Sequence, residues 1–125
     1  MHVTPQPQAA TRRALDGRQL ANAVDLLRAL GAPHRLAIVL ELTRGPRCVH
    51  ELVDALGISQ SLASQHLRVL RNAGLVSGAR QGKESLYTLT DDHVARIAMD
   101  AVTHGSEPGR RIQPAHDPTT EEHQP

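Results

Sequence analysis

Residues 48–72 read CVHELVDALGISQSLASQHLRVLRN, and the spacing inside this stretch decides the fold. Val49, Leu52, Val53 and Leu56 recur at i, i+3, i+4 and i+7, the repeat of a helix with one buried face. Gly57 follows where such a helix would close. Ser59 carries the side-chain oxygen that caps a helix start, so a second helix is expected from Gln60 to about Asn72, ended by Gly74. Only Gly57, Ile58 and Ser59 separate the two. A corner that short, with glycine in it, reads as a helix-turn-helix.

The second of these helices has two unlike faces. Ala63, Leu67 and Leu70 form an apolar stripe; the opposite stripe holds Gln60, Ser61, Ser64, Gln65, Arg68 and Arg71 or Asn72, with no acid among them. Gln and Ser can hydrogen-bond base edges, Arg reaches guanine or phosphate, and no carboxylate opposes the DNA backbone. An ordinary solvated stripe in this chain would carry Glu or Asp, as the other helices do. A DNA-reading helix is therefore expected. His66 stands at the edge of the stripe, where packing competes with base contact.

Working outward, Leu20, Val24, Leu27 and Leu30 mark a first helix from Arg18 to Leu30, stopped by Gly31. Pro33 suits the first turn of a second helix, His34 to about Thr43, whose apolar run Leu36–Leu40 reads as buried. Beyond Gly74 the period changes to two. Leu75–Arg80 and Glu84–Leu89 read as strands of a hairpin around Gln81, Gly82 and Lys83. Arg80 and Lys83 flank its tip, placed to touch phosphate or the minor groove. Thr90 or Asp91 caps a last helix to about His104, with Val94, Ile97, Ala98 and Ala101 as its core stripe. The fold expected is mainly α with a β-hairpin wing (α+β), a homodimeric winged helix-turn-helix over residues 17–107. The Pro- and Gln-rich ends, a 1–16 arm and a 108–125 tail, lack the apolar surface to offset ordering entropy.

Composition narrows the classes. The chain has 125 residues, one Tyr, no Phe and no Trp, so the core must be aliphatic and base-stacking platforms are excluded. The single cysteine, Cys48, rules out an internal disulfide and a stapled secreted fold. No apolar run approaches bilayer length, and the opening MHVTPQPQAATRR lacks a signal peptide's apolar stretch. A cytoplasmic setting is expected, without membrane partner or small organic substrate. The net charge of +1 hides an asymmetry. From Gly57 to Leu89 the chain carries Arg68, Arg71, Arg80 and Lys83 against Glu84 alone, a basic half suited to double-stranded DNA.

Histidines supply the second signal. His93 and His104 lie eleven residues apart on the last helix, on nearly the same face but about 16 Å apart along the axis. One ion with bonds near 2 Å cannot join both within a chain. Each has its own acid, Asp91 before His93 and Glu107 after His104. Two such helices packed antiparallel across a two-fold would unite Asp91 and His93 of one with His104 and Glu107 of the other, twice by symmetry. That N/O set suits Zn2+, with Co2+ as a substitute. Two surface histidines beside acids also occur with no ion to hold, and Asp100 between them reads as exposed charge.

The C-V-x-E-L opening (Cys48, Val49, Glu51, Leu52), the S-x-x-S-x-H-L of the second helix of the pair (Ser61, Ser64, His66, Leu67), the wing Arg80-Gln81-Gly82-Lys83 and the D-x-H…H-x-x-E constellation resemble the ArsR/SmtB metal-sensing repressors over residues 17–107. The resemblance implies a repressor whose apo dimer binds a palindromic operator and whose zinc-loaded dimer releases it. It implies ligands at Asp91, His93, His104 and Glu107, and a hydrogen bond from His104 to backbone near Gly74. It also implies a second metal near Cys48 and Glu51, completed by the partner's arm; here that arm has no cysteine and only His2, and Cys48 reads more simply as a small apolar residue. Gly105 and Pro108 frame Glu107, so a helix ending there would leave that ligand on a loose segment.

Two other classes stand beside this reading. A zinc enzyme lacks H-E-x-x-H, a cysteine-rich deaminase signature and a general base, so no catalysis is expected. A metal-independent winged-helix regulator, answering a thiol oxidant through Cys48 or a protein partner, would keep the DNA face and discard the histidines.

Overall fold

The computed structural model describes residues 15–109. The expected arm and tail fall outside the described residues, apart from 15–16 and 108–109. The elements run α1 (Gly17–Leu30), α2 (Pro33–Leu42), β1 (Arg47–Cys48), α3 (Val49–Leu56), α4 (Gln60–Asn72), β2 (Val76–Gln81), β3 (Glu84–Leu89) and α5 (Asp92–Gly105).

Local chemistry sets most boundaries. Asp16 and Gln19 cap α1 reciprocally: each backbone N–H donates to the other's side chain at 2.9 Å. Ser59 Oγ accepts from the Leu62 N–H at 3.0 Å and starts α4. At the far end of α4, the Gly74 N–H donates to Arg71 and the Leu75 N–H to Leu70. Gly74 has φ +77°, the left-handed residue this double closure requires. Leu75, just past it, drops into the core beside Leu70.

The core is aliphatic throughout. Ile38, Val39 and Leu42 of α2, Leu52 of α3, Ala63, Leu67 and Leu70 of α4, Leu75, Val76, and Val94 and Ala98 of α5 are buried, and among the described residues no polar side chain is. The run on α2 lies at the centre, as its unbroken apolarity implies.

One expectation is extended and one is corrected. The hairpin is part of a three-stranded antiparallel sheet, order β1-β3-β2, in which Cys48 pairs with Leu86 and Arg47 with Tyr87. Strand β1 has two residues, too few for alternation to reveal. The correction concerns the α5 stripe read as core, and the stripe that marks α1 is likewise left open. Leu20, Val24 and Leu27 on α1 are 39–62% exposed, Ile97 is 37% exposed and Ala101 is open. Amphipathic spacing reports that a face is to be covered, not that the same chain covers it.

Strand β2 pairs Gly78 with Tyr87. A Cβ at Gly78 would lie 2.8 Å from the Tyr87 ring, so the absent side chain lets the chain's one aromatic ring lie flat across the wing.

Candidate nucleic-acid interface and metal centre

Helix α4 turns its apolar stripe inward, which fixes what faces out. Gln60, Ser61, Ser64, Gln65, Arg68, Arg71 and Asn72 are all exposed, with no acid among them. Arg80 and Lys83 are exposed at the wing tip, where the strands close through Gly82 and Lys83 between paired Gln81 and Glu84. The two groups are joined: a cleft of about 200 Å³ is lined by Gln60 of α4, Arg80, Lys83 and Glu84 of the wing, and His50 of α3. The start of α4 and the wing thus form one continuous, mostly basic surface.

His66 belongs to the packing side. Its ring meets His34 edge-on at 5.4 Å, and its Nδ1 stands 3.4 Å from Arg35 Nη1. Arg35 Nε donates to the Ala29 carbonyl at 2.7 Å, tying α1 to α2 beneath α4. Burial, then the charges of Arg35 and His34, hold His66 below its ordinary pKa.

Helix α5 carries an imidazole–carboxylate pair at each end. Asp91 caps the helix, accepting from the Val94 N–H at 3.2 Å, and its Oδ1 lies 3.6 Å from His93 Nδ1. At the other end His104 Nδ1 lies 3.3 Å from Glu107 Oε1. The helix stops at Gly105, short of Glu107 as expected. Ser106 Oγ, donating to the Val102 carbonyl at 2.7 Å, secures the turn that holds Glu107 near His104. The histidine side chains are 79% and 61% exposed. Each end therefore offers an N/O pair to solvent, and Ile97 and Asp100 share the stripe between them.

Next to this helix is a link that sequence reading missed. Thr90 Oγ1 donates to the Gly74 carbonyl at 2.9 Å, joining the residue before Asp91 to the end of α4. Within the chain the backbone at Gly74 is held by Thr90, while His104 faces Glu107.

Near Cys48 the structure keeps Glu51 beside the cysteine and brings in a residue of the wing. Glu51 Oε1 accepts the Cys48 backbone N–H at 2.9 Å, a capping role. That bond and one with the thiol hold Glu51 below its ordinary pKa. His50 Nδ1 instead lies 3.0 Å from Glu84 Oε1 on the wing. Among the described residues, Cys48, His50 and Glu84 form the one group whose three ligand atoms lie within 4.8 Å of one another. In the sequence His50 stands beside Cys48 and Glu51, and Glu84 is only the lone acid of the basic half; their meeting depends on β1.

Residues 32–77 match the family model described as bacterial regulatory protein, arsR family. A transcriptional repressor of Mycobacterium tuberculosis named SmtB is 54% identical over 101 residues, 81% of this chain and 71% of that protein. The chain belongs to the ArsR family. The NmtR transcriptional regulator of the same organism is 44% identical over 90 residues, 72% of this chain and 75% of its own. A solution structure of a homodimeric winged helix-turn-helix DNA-binding domain from Mycobacterium bovis superposes with TM-score 0.67 at 26% identity, covering 93% of this chain and all of that one. ArsR membership makes the chain a transcriptional regulator rather than an enzyme. Its architecture is the winged helix-turn-helix. Among the described residues no helix is long and apolar enough to cross a membrane.

Proposed function

We propose that this protein is a metal-responsive repressor: a homodimer that binds a palindromic operator without metal and loses DNA affinity when a divalent ion, zinc by preference, bridges its α5 helices. The observation that carries the reading is the pair of exposed imidazole–carboxylate groups at opposite ends of one α5 stripe.

A two-residue N/O pair holds a divalent ion weakly; two pairs give the four donors of a tetrahedral site. Antiparallel α5 helices would supply both pairs, and the exposed Ile97, Met99 and Val102 on α5 and Leu20, Val24 and Leu27 on α1 provide the apolar area such a dimer covers. Asp91, His93, His104 and Glu107 are the ligands in this reading. The donor set fits Zn2+, with Co2+ as a substitute in the same tetrahedral geometry, whereas Ni2+ favours other geometries. When bound, the ion supplies a rigid cross-link between subunits.

The chain's own residues carry the effect to DNA. Gln60, Ser61, Ser64, Gln65 and Arg68 meet base edges and phosphates in the major groove, with Arg80 and Lys83 on the flanking backbone. A dimer must set its two α4 helices about 34 Å apart to enter successive grooves. Thr90 lies between ligand Asp91 and the Gly74 carbonyl at the end of α4, so a fixed Asp91 alters where α4 is held. Linkage makes the coupling reciprocal, and typical values of about 1–3 kcal/mol change operator affinity about 5–150-fold.

The test is a mobility shift on the promoter of the protein's own operon, titrated with zinc and then chelator. Wild type should release DNA and rebind it; His93→Ala and His104→Gln should bind DNA and ignore zinc. Zinc-driven release that persists in both variants excludes the α5 site. DNA binding indifferent to every divalent ion leaves a metal-independent regulator.

A further inference from the structure

We propose a second metal site, contained within a single protomer, in which Cys48 Sγ, a His50 ring nitrogen and a Glu84 carboxylate oxygen hold a borderline-soft divalent cation between the start of α3 and the wing.

The register of the sheet assembles it. Cys48 pairs with Leu86 across β1 and β3, and Glu84 lies two residues from Leu86 on the same face. Such a diagonal neighbour is within reach of a long side chain. His50, in the first turn of α3, approaches from the helix and stands 3.0 Å from Glu84 Oε1. The three ligand atoms lie within 4.8 Å of one another. A tetrahedral ion with bonds of about 2.0–2.3 Å places its ligands about 3.3–3.8 Å apart. The His50–Glu84 pair already has nearly that spacing, and from within 4.8 Å the sulfur needs to close by about 1.5 Å at most. Half-buried Cys48 and exposed Glu84 and His50 leave room for that adjustment.

The chemistry agrees with the geometry. One thiolate, one imidazole and one carboxylate form a mixed S/N/O set suited to Zn2+ or Co2+ and too soft for Mg2+ or Ca2+. His50 and Glu84 also line the cleft shared with Gln60, Arg80 and Lys83, from which water can complete the coordination. An ion here pins strand β3, and with it the wing tip, to the first turn of α3. It needs no residue of the arm or of a second subunit, which separates it from the α5 site and from an arm-completed site at Cys48 and Glu51.

Cobalt(II) distinguishes the two sites because only this one contains sulfur, and Cys48 is the chain's single cysteine. Anaerobic titration of the full-length protein should give an intense near-ultraviolet thiolate-to-cobalt band saturating at one ion per protomer. His93→Ala should keep the band, and Cys48→Ser should abolish it. Glu84→Gln and His50→Asn, changes to exposed side chains, should weaken the sulfur-bound ion at least about tenfold, with far-ultraviolet circular dichroism confirming that both remain folded. Absence of a thiolate band in wild type overturns the site. A band equally strong in Glu84→Gln and His50→Asn also overturns it, since Cys48 would then draw its co-ligands from elsewhere. Neither result bears on α5, which the band does not report.

Discussion

Helices α4 and α5 are nearly equal in length, 13 and 14 residues, and both are amphipathic. Their apolar faces meet different fates. On α4, Ala63, Leu67 and Leu70 are at most 2% exposed; the chain itself covers this stripe, and the exposed face is free of acid and polar apart from the single large apolar side chain of Val69, 40% exposed at its edge. On α5 only Val94 and Ala98 are buried, while Ile97, Met99 and Val102 remain 37–52% exposed. A helix whose apolar face is satisfied internally can offer a clean polar surface to DNA. One left half-covered calls for another copy of itself, and ligands placed on it report on that second copy.

Leu70 and Ile97 expose the contrast most sharply. Leu70→Ala removes a fully buried side chain next to Leu75 and should cost about 2–5 kcal/mol of folding stability, read from the midpoint of denaturant unfolding. Ile97→Glu should leave the protomer's helix content unchanged and weaken dimerisation about 30-fold, the scale of a hot-spot loss of about 2 kcal/mol, measured by sedimentation. If Ile97→Glu unfolds the protomer as Leu70→Ala does, the two faces are not different in kind.

The outer face of α4 can be tested against the wing. Arg68→Ala should lower operator affinity by about 1–3 kcal/mol and relax base preference where the guanidinium reads it. Lys83→Ala should weaken binding uniformly across sequences and reduce the salt slope by about one. Identical salt slopes and specificities for the two variants would remove the division between reading and anchoring. Thr90→Val then joins the two helices' stories. Losing the hydroxyl on the Gly74 carbonyl should leave zinc affinity near wild type and shrink the zinc-dependent change in DNA affinity, by about 0.5–2 kcal/mol if coupling runs through that bond.

Much of this was legible before any coordinates. Gly57, Ser59 and Gly74 punctuate α3 and α4 by local backbone chemistry, and the acid-free stripe from Gln60 to Arg71 is a matter of composition and period. Both survive into three dimensions because they depend on neighbours a few residues away. The Cys48–His50–Glu84 group was illegible for the opposite reason: it requires β1, two residues long, to pair with a strand nearly forty positions later. Thr90 was hidden similarly, since a hydroxyl finding a carbonyl sixteen residues back leaves no pattern. The exposed stripes on α1 and α5 were visible, and Ile97 and Ala101 of the latter were misassigned to the core, because periodicity does not say which chain provides the cover.

The smallest expected effect returns to α4, through its one histidine. The α5 histidines sit beside acids in solvent, whereas His66 is partly buried against Arg35 and His34. Burial first, and those neighbours next, place its folded pKa below the ordinary 6.5. The unfolded chain therefore takes up this proton at a higher pH than the folded one, and stability rises with pH across the interval between the two values. The contribution is complete above 6.5 and is lost as pH falls through that value toward the folded pKa. Thermal midpoints followed from about pH 8 to about pH 5 should fall less steeply in His66→Gln than in wild type. An unchanged slope would mean that protonated His66 is tolerated where it stands, and that the junction of α2 with α4 is as open to water as the ends of α5.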